Sequence, residues 1–264
     1  MFRFSDGTYL EGQDMWKLSG IERSVYLLKR PARHIADYFV QASLDDNYRQ
    51  GVFSLDITMK GQPQAGTSVE VKLIHPDSIG KVVYQSRQNI LSDSLHFSAG
   101  IDEVLSWNAE QPNLYGMYII QRNNKGEIME VIRQSIGFRR VEIRHGLFLL
   151  NGVAIKFRGV NRHEHDMVTG KVISRESMLR DIQLMKASNI NAVRTSHYPN
   201  DEYWYRLCDK YGIYVVDEAN IECDGMAFHP LQTLSDHSDW TAAYLDRTRR
   251  MVERDKNFTS IITW

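Results

Sequence analysis

Three short stretches gather side chains of the kinds that do chemistry: NRHEHD (161–166), RTSHYPN (194–200) and DEANIECD (217–224). The last puts four carboxylates into eight residues, a density of negative charge that needs a cation, an arginine or protonation beside it. Glu222 and Asp224, two apart and close to Asn220, suit a hard cation such as Mg²⁺. The same carboxylates also read as the pair that flanks the scissile bond in a glycosidase, and Asp217 with Glu218 as a hydrogen-bonded strand end. In RTSHYPN, Arg194 is placed to pair with a carboxylate, and His197 and Tyr198 offer neutral groups that suit sugar hydroxyls. A structural ion pair and a satisfied turn histidine account for the same residues. The HEH core of NRHEHD invites comparison with metalloproteases, but those need two histidines one helical turn apart. Here the spacing is two, in a strand-end loop, which leaves one histidine to face a pocket while the other packs.

The elements that position these residues alternate. IKFRGV, NAVRTS, IYVVDEAN and SIITW read as strands. Between them, Ser174 caps a helix through RESMLRDIQLMKAS, whose Met178, Leu179, Ile182, Leu184 and Met185 form an apolar stripe. A second helix ends at Gly212, and a third covers about residues 239–254. Such alternation predicts parallel strands with right-handed crossovers. No GxGxxG or GxxxxGK[ST] follows any strand, so a nucleotide-binding sheet is disfavoured. Polar residues at three successive strand ends point to a (β/α)8 TIM barrel, which carries its working groups there and needs about 250 residues in all. Residues 141–264 therefore read as the N-terminal half of a barrel.

Upstream, residues 31–140 show short alternating runs separated by Gly, Asn and Pro, the pattern of a β-sandwich. Residues 1–30, with strand-like SVYLLKR at the end, read as the tail of another domain. Of the 264 residues 42% are hydrophobic and 25% charged, with a net charge of -1, which excludes disorder and gives no field to attract nucleic acid or an anionic membrane. Cys208 and Cys223 are too few for a disulfide scaffold and wrongly spaced for zinc. Neither a signal-peptide pattern nor a membrane-spanning run stands out, so a cytoplasmic protein is expected.

The stretch NAVRTSHYPNDEYWYRLCDKYGIYVVDEANIE (191–222), with RGVNRHEHD, SDGTYLEGQDMWKLSGI and RDKNFTSIITW, resembles glycoside hydrolase family 2, and within it the β-galactosidases. The resemblance implies the end of a sugar-binding jelly roll (1–30), an immunoglobulin-like β-sandwich (31–140) and the first half of the catalytic TIM barrel (141–264). It makes His163 and His197 contacts to the galactosyl group, and Arg194 a support that orients carboxylates. Asp14, in GQDMW, is expected to reach the sugar and a nearby Na⁺, and Glu222 to hold Mg²⁺. Asp224 stands where many relatives have a metal-binding histidine. The acid/base and nucleophile glutamates are expected beyond Trp264, so the substrate is a β-galactoside and the partner the remainder of the enzyme chain, in a homo-oligomer. The rivals are a β-glucuronidase, a β-mannosidase or a non-catalytic carbohydrate-binding module.

Overall fold

The computed structural model describes residues 5–78, 80–226 and 233–264; the first four residues of the segment read as a jelly-roll tail lie outside these. One helical turn, α1 (Gly7–Leu10), opens the chain and buries Leu10. Residues 24–30 form no strand, contrary to the sequence pattern. A strand needs a partner for its backbone groups, and among the described residues none is alongside: Leu27 is 103% exposed.

The sandwich follows. Its strands are β1 (His34–Leu44), β2 (Gly51–Lys60), β3 (Ser68–Ile74), β4 (Val82–Asn89), β5 (Ser94–Ile101), β6 (Tyr115–Arg122) and β7 (Ile128–Ile136). They pair antiparallel in two sheets, ordered β1-β2-β5 and β4-β3-β6-β7. Strict alternation in β2 turns Phe53, Leu55, Ile57 and Met59 inward, where they meet Val69, Val71 and Leu73 of β3 and Met117 and Ile119 of β6. Each such side chain, fully buried, contributes roughly 1.5–3 kcal/mol.

A small meander of β8 (Val141–Arg144), β9 (Leu147–Leu150) and β10 (Val153–Ala154) leads into the second unit. There β11 (Gly159–Arg162), β12 (Ala192–Thr195), β13 (Tyr214–Val216) and β14 (Ile261–Thr263) form a parallel sheet in sequence order. The connecting helices are α2 (Arg175–Ala187), α3 (Glu202–Tyr211) and α4 (Thr241–Asp255). Val193, Val215 and Ile261 face the helices, while Ala192, Tyr214 and Ile262 pack on the other side against Trp107 of the sandwich. This is the start of a TIM barrel, as the sequence predicts. The first strand lies later than IKFRGV suggests, at Gly159–Arg162.

Ser174 caps α2 as expected, accepting from the Ser177 amide. The predicted stripe is narrower: Met178, Ile182 and Met185 are buried, but Leu184 is 56% exposed. At 100° per residue, Leu184 stands 200° from Ile182 and so on the opposite face.

Candidate active site

The polar strand ends converge at the carboxyl edge of the parallel sheet. Asn161 pairs with Arg194 in register, and Arg194 with Val216, so the loops that follow start from one level. Arg194 clamps Glu218 with two contacts, Nη2 to Oε1 at 3.0 Å and Nε to Oε2 at 2.7 Å. The ring of His197 stands between two carboxylates, with Nδ1 2.9 Å from Glu218 Oε1 and 2.9 Å from Glu222 Oε2. The one nitrogen faces both, but its hydrogen bond goes to Glu218, which leaves Glu222 Oε2 a buried acceptor without a donor. Burial raises the Glu222 carboxyl above its ordinary value, opposed by His197 and reinforced by Glu218 and Asp224. The peptide between Ser196 and His197 is cis.

His163 meets His197 edge to face, ring centroids 5.3 Å apart. Burial, helped by His197, lowers its pKa, so the ring is neutral at pH 7 and offers one donor and one acceptor. Its Nδ1 is buried and unpartnered. His165 goes elsewhere, against Trp16 at 5.1 Å. The separation of the two histidines expected from the sequence is therefore present. Residues two apart share a face only while the strand lasts, and β11 stops at Arg162.

Asp217 is structural. It is buried, accepts from Thr195 Oγ1 at 3.0 Å and from Tyr205 Oη at 2.6 Å, and is raised by burial. Thr195 Oγ1 in turn accepts from the Glu218 amide at 2.9 Å, so the buried pair fixes where the half-buried Glu218 carboxylate begins.

A strap from the N-terminal segment is laid across these loops. The Gly12 amide donates to the Glu222 carbonyl at 2.7 Å, Gln13 Nε2 reaches the His197 carbonyl at 3.5 Å, and Tyr198 Oη contacts Met15 Sδ at 3.5 Å. Asp14, between them, is exposed at the carboxyl edge. Further along, Arg23 pairs with Glu164, a carboxylate whose side chain is 3% exposed and which also accepts from the Asp201 amide at 2.9 Å.

His197, Glu218 and Glu222 place ligand atoms within 4.8 Å of one another. Two carboxylates, each with a buried oxygen that lacks a hydrogen-bond partner, form a donor set that fits a hard cation. Asp224 is not one of the three: it opens the 3₁₀ turn Asp224–Met226, and its charge still reaches Glu222. The structure thus brings together Arg194, His163, His197 and Glu222, which the sequence singled out, and adds two residues that the sequence did not place: Glu218 among the donors and Glu164 as the strap's partner. Their partners lie 21–24 and 37–141 residues away in the chain, beyond any local pattern.

A family model described as "Glycosyl hydrolases family 2, TIM barrel domain" matches residues 141–264, and one described as "Glycosyl hydrolases family 2" matches residues 33–139. The chain belongs to glycosyl hydrolase family 2. Family 2 proteins similar to it over its whole length include a β-galactosidase of Pectobacterium atrosepticum, 43% identical, and one of Enterobacter cloacae, also 43% identical. The chain spans 26% of the length of each. Among solved structures, a Bifidobacterium dentium β-glucuronidase complexed with coumarin-3-O-glucuronide superposes with a TM-score of 0.78 at 26% identity, covering 88% of this chain and 37% of that one. A Ruminococcus gnavus β-glucuronidase gives 0.76 at 24% identity, covering 89% and 38%, and shares the fold. The barrel side of the site lies within the region matched by the TIM barrel model, and the strap lies before residue 33, outside both matched regions. No helix among the described residues is long and apolar enough to cross a membrane.

Proposed function

We propose that this chain supplies the sugar-binding and metal-holding part of a retaining β-galactosidase, a cytoplasmic enzyme that removes terminal β-galactose from β-galactosides and works as a homo-oligomer. The observation that carries the reading is the convergence of His163, His197 and the Arg194–Glu218 pair on one edge of the sheet, with Asp14 delivered there by the strap. Neutral His163 and the His197 ring bind sugar hydroxyls. Arg194 holds Glu218 turned toward the site. In this reading residues 1–30 end a jelly roll, and residues 31–140 and 141–264 are the immunoglobulin-like sandwich and the first half of the barrel.

Hydrolysis with retention needs one carboxylic acid to protonate the leaving oxygen and a second carboxylate to attack the sugar. Both are assigned to the remainder of the enzyme, past Trp264. Mg²⁺ is assigned to Glu222, with Glu218 and Asp224 contributing charge, and Na⁺ to Asp14. Bound Mg²⁺ supplies a fixed positive charge beside the reacting groups. Glu222→Gln is expected to weaken Mg²⁺ binding at least about tenfold by titration calorimetry, since it removes a charged oxygen ligand.

The resemblance to β-glucuronidase structures favours a second substrate, a β-glucuronide. The charges argue against it: Arg194 is already matched by Glu218 and so is not left to pair with a uronate. The test is hydrolysis of nitrophenyl β-galactoside and β-glucuronide by the 264 residues, alone and after addition of the remainder as a separate polypeptide. Silence alone and galactoside cleavage on addition is the expected result. Cleavage by the chain alone would assign the chemistry to Glu218 or Glu222, and glucuronide preference would reverse the substrate assignment.

A further inference from the structure

The seam between sandwich and barrel is held by an exchange of side chains between two strand edges. On the sandwich side, β1 is an edge strand whose outer backbone groups have no neighbouring strand. Asn257, from the loop before β14, fills that place: its Oδ1 accepts from the Val40 amide at 2.9 Å and its Nδ2 donates to the Tyr38 carbonyl at 3.0 Å. One carboxamide imitates the peptide group of a further strand. Gln134 of β7 holds the Asn257 carbonyl at 3.1 Å.

On the barrel side the traffic is reversed. Arg139 follows β7, and its own amide donates to the Ala42 carbonyl at 3.0 Å, continuing the edge of β1. Its guanidinium donates through Nε to the Thr259 carbonyl and through Nη2 to the Ile261 carbonyl at 2.5 Å. These carbonyls lie on the side of the chain turned away from β13, since the intervening Ser260 carbonyl accepts from the Val215 amide at 2.8 Å. Between the two exchanges, the Gly137 amide donates to Thr259 Oγ1 at 2.8 Å, and a Cβ on Gly137 would come within 2.6 Å of both Thr259 Cγ2 and Trp107 Cβ.

We infer that Arg139 and Asn257 are positioning residues that set the height and register of β14 against the sandwich, so that the sandwich aligns part of the active site. This rests on the proposed function for its catalytic meaning, because the acid/base glutamate is assigned to the segment after β14. A planar fork that spans two carbonyls fixes both the position and the rotation of a strand, which a lysine's single ammonium does not.

The test uses Arg139→Lys and Asn257→Asp, which keep size and leave one half of each exchange. In the 264-residue chain, amide hydrogen exchange at Val215 and Asp217, whose amides donate to the Ser260 and Thr263 carbonyls, should quicken about tenfold, the scale of one buried hydrogen bond. Exchange at Val71 in β3 should stay within about twofold. In the enzyme completed with its remainder, kcat on nitrophenyl β-galactoside should fall about tenfold with KM within about twofold, because the sugar contacts sit on other strands. Unchanged exchange at Val215 and Asp217, or equal quickening at Val71, overturns the inference, as does a rise in KM without loss of kcat. If the exchange pattern appears but the completed wild-type enzyme cleaves no galactoside, the positioning role stands and the proposed function falls.

Discussion

Asp209 stands where a carboxylate is costly, 2% exposed under the seam, accepting from the Ser260 amide at 2.7 Å while its own carbonyl accepts from Trp107 Nε1 at 2.8 Å. Burial pushes its pKa up to about 6. A carboxyl raised in the folded state binds more protons there than in the unfolded chain, so this group favours folding at low pH. Its help is full below the unfolded value, near 4, and is lost as pH rises through about 6. Asp209→Asn keeps the acceptor and removes the charge, so chemical denaturation should find the variant more stable than the parent above pH 6, by up to about 3 kcal/mol, with the difference shrinking toward pH 4. At this scale the sequence is legible where a side chain acts near its own strand end, as Arg194 and His197 do. It is opaque where the partner is remote: nothing local marks Glu164 as the buried mate of Arg23. Glu164→Gln should lower stability by about 1–3 kcal/mol, discounted for the partly exposed arginine, and measurably free the strap in hydrogen exchange.

Elements were legible in kind and less so in extent. Caps and stop signals worked, because Ser174 and Gly212 act within a few residues of where they sit. Strand lengths did not: IYVVDEAN is strand only over Tyr214–Val216, with one further bond from the Asp217 amide to Thr263, and beyond it the Asp217 side chain belongs to the Thr195–Tyr205 network; periodicity carries no information about where pairing stops. Gly212 has a second duty invisible in its cap role. Its φ is 71°, and a Cβ there would lie 2.5 Å from the Ala109 carbonyl oxygen. Gly212→Ala should therefore cost more than the roughly 1 kcal/mol of left-handed backbone alone, about 2–4 kcal/mol in all by thermal or denaturant unfolding.

Across the whole molecule, the exposed apolar residues concentrate in the strap's continuation: Ile21, Val25, Tyr26, Leu27 and Leu28 are 64–103% exposed. Brief trypsin treatment should cut at Lys17 or Lys29 before any site within β1–β7, as peptide mapping would show. The architecture of sandwich and barrel was readable because each repeats its own period many times over, whereas the strap is irregular and is held by contacts to distant loops. Those contacts impose a timetable on synthesis. Asn220 reaches Glu11 across 209 residues of chain, so at about 5–20 residues per second the ribosome delivers the strap's seat roughly 10–40 s after the strap itself. The strap is thus made well before the loops it docks on, and its apolar face is on offer to chaperones for the whole interval.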